Sequence, residues 1–176
     1  INIDPNSFEA HGNLGISYTS LGNYEKAIIF FKNAININPN NADLFANMGY
    51  TYHQMNIIPE AQRCFHSSME IDPNCMPALI NNGVLSIKIG DYKNAKISFE
   101  KALYINENSI EAMLNYASFL SEIGDYDKAE AYIEKALKLN PKINTAISNL
   151  LLMFNYPSNK TIDFISNIHK EKGKLI

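Results

Sequence analysis

Asparagine recurs every 34 residues along this chain, at Asn13, Asn47, Asn81, Asn115 and Asn149. A primary amide carries a hydrogen-bond donor and an acceptor together, so it can pair with both the N–H and the C=O of a peptide unit. If these side chains share one surface, they form a ladder that can bind an extended polypeptide by its backbone. A structural explanation stays open beside this one, because asparagine there can also simply suit the surface of a helix.

Other kinds of chemistry have little support in the sequence. The histidines His11, His53, His66 and His169 stand at no metal-ligand spacing from Cys, Asp or Glu. The chain has no glycine-rich phosphate loop and no nucleophile elbow. His53 is therefore interpreted as a polar contact rather than as a ligand or a base. We predict a chain that is not an enzyme and uses no cofactor and no metal.

The composition limits the possible partners and location. Hydrophobic residues make up 46% of the 176 residues and charged residues 19%, which is enough apolar content for a packed core. The net charge of −3, without a block of Lys or Arg, argues against nucleic-acid binding. We expect no membrane span and no signal peptide. Cys64 and Cys75 suggest no disulfide framework, so we predict reduced thiols and an intracellular setting such as the cytoplasm.

The same spacing governs the rest of the chain. Proline, or once glutamate, recurs at the same interval, at Pro5, Pro39, Pro73, Glu107 and Pro141. A fixed period of this length indicates a stack of similar repeats, each of which buries its apolar face against its neighbours. The expected product is an extended binding surface rather than an enclosed pocket.

This register predicts the organisation of the whole chain. The complete repeats are predicted at 8–41, 42–75, 76–109 and 110–143. Residues 1–7 resemble the end of a complete repeat, so they are interpreted as the last part of a preceding, truncated one. Residues 144–176 are predicted to form a partial fifth repeat helix followed by a capping helix, which covers the final repeat.

Several positions keep one size class in every repeat. Position eight is small, position twenty is alanine, and position twenty-four is large and apolar. In that order the residues are Gly15, Gly49, Gly83, Ala117; Ala27, Ala61, Ala95, Ala129; and Phe31, Phe65, Phe99, Ile133. This pattern resembles the tetratricopeptide repeat, with its L-G-x-x-Y, A-x-x-x-F and terminal proline. The resemblance implies an all-α, right-handed superhelical solenoid of antiparallel helix pairs, and a protein–protein interaction module.

Local signals place the helices inside each repeat. We predict helix A over positions two to fourteen and helix B over positions eighteen to thirty-one. Position fifteen suits the left-handed backbone that ends a helix. It is occupied by Gly22, Asn56, Gly90 and Gly124. Asn23, Asp91 and Asp125 follow as N-cap candidates, and Pro59 fits the first turn of helix B in the second repeat. Glu107 lacks the proline ring that constrains the backbone, so we expect a softer junction between repeats three and four.

The resemblance also implies which residues line the concave groove. Besides the asparagines, we predict contacts from Tyr50, His53, Ile80, Val84, Ile87, Lys88 and Leu114. This set is mostly neutral or apolar, so the expected ligand is an extended, largely uncharged peptide segment. The family's carboxylate clamp for chaperone C-termini needs several Lys or Arg residues, of which Lys88 alone fits. Some of the predicted contacts can instead pack against helix B.

Two alternative functions stay open. The segment 148–170 resembles the junction before the catalytic half of bacterial SPINDLY-like O-GlcNAc transferases, through Ser148–Leu152, Asn155–Tyr156 and Ile168–Lys170. On that resemblance the chain is the substrate-recognition region of a larger protein glycosyltransferase. In the other alternative the chain is a structural or self-associating scaffold, whose truncated N-terminal edge pairs with another copy.

Overall fold

The computed structural model describes residues 7–140 and Ile143, and within them it contains eight α-helices. The helices are α1 Phe8–Ser20, α2 Tyr24–Ile37, α3 Ala42–Gln54, α4 Ile58–Ile71, α5 Met76–Lys88, α6 Tyr92–Ile105, α7 Ile110–Glu122 and α8 Tyr126–Leu139. Each helix begins and ends one residue before its predicted bounds. The predicted fifth repeat helix, the capping helix, Asn149 and the glycosyltransferase-like segment lie outside the described residues, as do residues 1–6.

The chain divides between Ile105 and Asn106 into two compact units. In the first unit α1 packs on α2, α3 on α4 and α5 on α6, while α3 also contacts α1, α2 and α5, and α4 contacts α5. In the second unit α7 packs on α8. The connections inside each pair are only three residues long, so the paired helices run antiparallel. The predicted all-α fold of antiparallel helix pairs is confirmed.

The turn between helices A and B has the predicted left-handed residue in every described repeat. The φ angles are 72° at Gly22, 60° at Asn56, 77° at Gly90 and 82° at Gly124. At the end of α1, the Gly22 N–H donates to the Thr19 carbonyl at 3.0 Å and the Asn23 N–H donates to the Tyr18 carbonyl at 2.8 Å. These two bonds satisfy carbonyls that the helix end would otherwise leave open.

The starts of the B helices use the predicted caps with local differences. The Asn23 side chain accepts from the Lys26 N–H at 3.4 Å, and the Asp91 side chain accepts from the Asn94 N–H at 3.1 Å. Asp125 occupies the N-cap position of α8, but its side chain accepts no cap hydrogen bond, and its carboxylate lies 2.6 Å from the Lys128 ammonium. In the second repeat Pro59 stands in the first turn of α4, as predicted.

The core of each of the first three repeats is built around one phenylalanine at position twenty-four and a glycine, which has no side chain, at position eight. Phe31, Phe65 and Phe99 are fully buried. A Cβ added at Gly83 would lie 2.7 Å from the Phe99 ring, and one at Gly49 would lie 2.7 Å from the Phe65 ring. The small residue at position eight is therefore what lets the phenylalanine ring pack directly on the backbone of helix A.

Both cysteines are free and buried, in agreement with the prediction of reduced thiols. Burial raises the pKa of the Cys64 thiol to about 11, and burial likewise raises the pKa of Cys75. Because the thiolate is the reactive form, both side chains are structural rather than reactive.

The turn at Glu107 already has the geometry of its proline-containing counterpart. The Asn108 N–H donates to the Asn106 side chain at 3.0 Å, and the Ser109 N–H donates to the Asn106 carbonyl at 3.1 Å. The matching bonds from Asn74 and Cys75 to Asp72 flank Pro73, at 2.9 and 3.0 Å.

We therefore expect Glu107→Pro to raise the free energy of unfolding by about 0.4–1 kcal/mol, through restriction of the unfolded chain. Urea denaturation followed by circular dichroism measures the change. Glu107→Ala is the matched control, because it also removes the exposed 3.4 Å ion pair with Lys135 but adds no ring. Equal stability of the proline and alanine variants would contradict the prediction.

Candidate functional site

The A helices of the first compact unit carry one accessible stripe each, formed by positions two, six, nine and thirteen. Spacings of three and four residues place these positions on one side of a helix. We call the twelve residues the A-helix face: Glu9, Asn13, Ile16, Ser20; Asp43, Asn47, Tyr50, Gln54; and Pro77, Asn81, Val84, Lys88. All are exposed or half-buried, and Ile16 and Tyr50 are large apolar side chains that remain 45% and 40% exposed.

Position five lies beside this face but is buried. Ala46 is 0% and Ile80 is 3% exposed, and a Cβ at Gly12 would lie 2.9 Å from Leu44 of the next A helix. Small or closely packed residues are needed here because successive A helices touch along this line. Ile80, which the family resemblance assigned to the groove, therefore does not lie on the A-helix face.

Position twelve lies on the other side of the face and is half-buried at Thr19, His53 and Ile87. The Thr19 hydroxyl lies 2.8 Å from the hydroxyl of Thr51, which is fully buried and lies 2.9 Å from the Asn47 carbonyl oxygen. This hydroxyl pair joins α1 to α3 next to Asn47. The repeat register does not predict this contact, because the two threonines occupy different positions in their repeats.

Two of the asparagine side chains donate a hydrogen bond to a carbonyl of their own helix. The Asn81 amide donates to the Pro77 carbonyl at 2.9 Å. In the second compact unit the Asn115 amide donates to the Glu111 carbonyl at 2.9 Å. Each amide has two N–H groups and one carbonyl, so a second donor and the acceptor remain for a ligand. The local bond fixes the direction of the side chain before a ligand arrives. Leu114 and Asn115 are both half-buried on α7.

His53 has an unusual environment for a surface histidine. Its Nδ1 atom is buried and has no hydrogen-bond partner among the described residues. Burial, and after it the positive charge of Lys88, lowers the pKa of His53 below its ordinary value. Both effects favour the neutral form of the imidazole. Lys88, at the end of α5, is exposed.

Two other classes of site are absent from the part of the chain that the structure describes. Within residues 7–140, no group of three or more His, Cys, Asp or Glu side chains could hold a metal ion. None of the helices in that range is both long enough and apolar enough to cross a membrane.

The fold and the accessible face define a helix-pair repeat protein of the kind that binds other proteins. A TPR repeat model matches residues 15–56, and a second tetratricopeptide repeat model matches residues 77–109 and 110–143. The chain belongs to the tetratricopeptide repeat family. It is accordingly a protein–protein interaction module.

Solved structures share this fold. TTC0263, a thermophilic TPR protein of Thermus thermophilus, is 18% identical with a TM-score of 0.75, over 93% of this chain and 98% of that one. PilF of Pseudomonas aeruginosa is 21% identical with a TM-score of 0.73, over 91% and 75%. YrrB, a TPR protein with an unusual peptide-binding site, is 18% identical with a TM-score of 0.65, over 94% and 88%. No curated protein matches the chain in sequence.

Proposed function

We propose that this chain is a non-catalytic module that binds an extended peptide segment along the A-helix face. Asn13, Asn47 and Asn81 contact the peptide backbone. The observation that carries the proposal is their accessibility: Asn13 is exposed and Asn47 and Asn81 are half-buried, whereas the neighbouring position five is buried in all three repeats of the first compact unit. The sequence register continues the same amide at Asn115 and Asn149.

The spacing of the A helices suits an extended ligand. Packed helices have axes about 8–10 Å apart, whereas an extended chain advances about 3.3–3.6 Å per residue. Each asparagine then meets about every third residue of the peptide, and three asparagines span about six residues. Such a ladder holds the backbone and leaves selection among side chains to other residues.

The apolar residues at position nine supply that selection in the proposal. Ile16, Tyr50 and Val84 each lie three residues after an asparagine, which places them on the same side of the helix. An extended peptide directs successive side chains to opposite sides, so part of them can pack on these exposed groups. A neutral, partly apolar segment fits this surface best.

A peptide array tests the proposal. The full chain is screened against 12-residue peptides that are acetylated at the N-terminus and amidated at the C-terminus, and dissociation constants are measured for the binders. We expect Asn47→Ala to weaken binding about five- to tenfold, because two hydrogen bonds of about 1 kcal/mol or less each are lost.

Asn33→Ala is the matched control for that experiment, since Asn33 is an exposed asparagine on α2, away from the A-helix face. Circular dichroism checks that both variants are folded. If Asn47→Ala binds its peptides as tightly as the wild type, or if no peptide in the array binds, the proposed ladder is wrong. A chain that binds no peptide and sediments as an oligomer would favour the scaffold alternative.

A further inference from the structure

One end of the A-helix face carries two basic side chains on neighbouring helices. His53 lies in the last turn of α3, Lys88 is the last residue of α5, and these two helices pack against each other. The two groups are close enough for the charge of Lys88 to act on the imidazole. We call this pair the basic corner. Helix C-terminal ends favour cations, which explains why Lys88 is tolerated there.

No carboxylate neutralises the basic corner within the described residues. The ion pairs of the described lysine, arginine and histidine side chains involve neither His53 nor Lys88. Asp91 follows shortly after Lys88, but its two carboxylate oxygens accept from the Asn94 N–H and the Asn94 amide, at 3.1 and 2.6 Å. Asp43 lies at the opposite end of α3, about 15 Å away along the helix axis.

The imidazole of His53 can donate a hydrogen bond to a ligand. Its buried Nδ1 has no hydrogen-bond partner among the described residues, so we assign the proton of the neutral ring to Nε2. The Nε2–H of His53 offers an anion one directed hydrogen bond, and the exposed ammonium of Lys88 offers a positive charge on a flexible side chain. Tyr50, 40% exposed and three residues before His53, adds apolar surface for the methylene groups of an acidic side chain.

We propose, on the basis of the proposed function, that the basic corner binds the carboxylate of one Asp or Glu side chain in the bound peptide. The ligand is then neutral over most of its length and acidic at one position, the one that lies against the ends of α3 and α5. This arrangement differs from the family's carboxylate clamp, because position nine holds Ile16, Tyr50 and Val84 and no asparagine.

The same array tests this inference. Because the peptides are acetylated and amidated, every carboxylate comes from a side chain. We expect the binders to share Asp or Glu at one position, and replacement of that residue by Gln or Asn to weaken binding about tenfold. Higher ionic strength should weaken the acidic peptide and leave its amide counterpart nearly unchanged.

A charge reversal supplies the matched variants. Lys88→Glu should remove the acidic preference and select Lys or Arg at the same peptide position. Lys93→Glu makes the same charge change at an exposed lysine on α6, and this variant should select the same peptides as the wild-type protein. If Lys88→Glu selects the same peptides as the wild type while Asn47→Ala still weakens binding, the basic corner is wrong and the ladder stands. If neither variant alters binding, both proposals fail.

Discussion

Gly83→Ala should lower the free energy of unfolding by about 1–3 kcal/mol, although alanine is the better helix former by about 1 kcal/mol. The added Cβ would lie 2.7 Å from Cε1 and Cζ of Phe99, whose ring is fully buried. A ring enclosed on all sides has no free volume into which it can move, so the backbones of α5 and α6 must separate. Urea denaturation followed by circular dichroism measures the loss.

A second substitution should reverse much of this loss. In the fourth repeat the same two positions carry Ala117 and Ile133, which are 2% and 4% exposed, so the smaller pair is compatible with this fold. Phe99→Ile alone leaves unfilled volume and should also destabilise the protein. We expect the double variant to be more stable than the sum of the two single effects predicts. Additive effects would show that the Gly83–Phe99 contact does not determine the residue at position eight.

The repeat register made the fold predictable from the sequence. A spacing of 34 residues, small residues at positions eight and twenty, and Gly or Asn at position fifteen each have one physical explanation in a stack of helix pairs. The structure confirms them at Gly83 against Phe99 and at the left-handed residues Gly22, Asn56, Gly90 and Gly124. Because every feature recurs, a wrong assignment of the helices in one repeat would have conflicted with the assignments in the other three.

The candidate site was less predictable, because it depends on contacts between different repeats. Whether Ile80 faces a ligand or a neighbouring helix depends on how closely the A helices approach, and its sequence position alone does not reveal this. The hydroxyl contact of Thr19 with Thr51 joins residues at different repeat positions, and the charge of Lys88 that helps to lower the pKa of His53 also comes from a different repeat position. Aligning the repeats compares only equivalent positions, so it does not reveal interactions between different ones.

Gly90→Val should destabilise the protein by about 1–3 kcal/mol for a reason unrelated to packing. Gly90 has a φ of 77°, a conformation in which a β-branched residue clashes with its own backbone. A Cβ at this position would meet nothing within 4 Å, so the cost comes from the backbone alone. Thermal denaturation should show the loss, and no substitution elsewhere in the core should rescue it.

Asn56 allows the opposite test at the equivalent position in the second repeat. Its φ of 60° places a side chain in the left-handed region, which asparagine tolerates better than other residues but glycine adopts freely. Asn56→Gly should therefore leave the stability unchanged or raise it by up to about 1 kcal/mol. A loss at Asn56→Gly would mean that the amide itself holds the turn. Wild-type stability for Gly90→Val would mean that the left-handed residue is not required to end helix A.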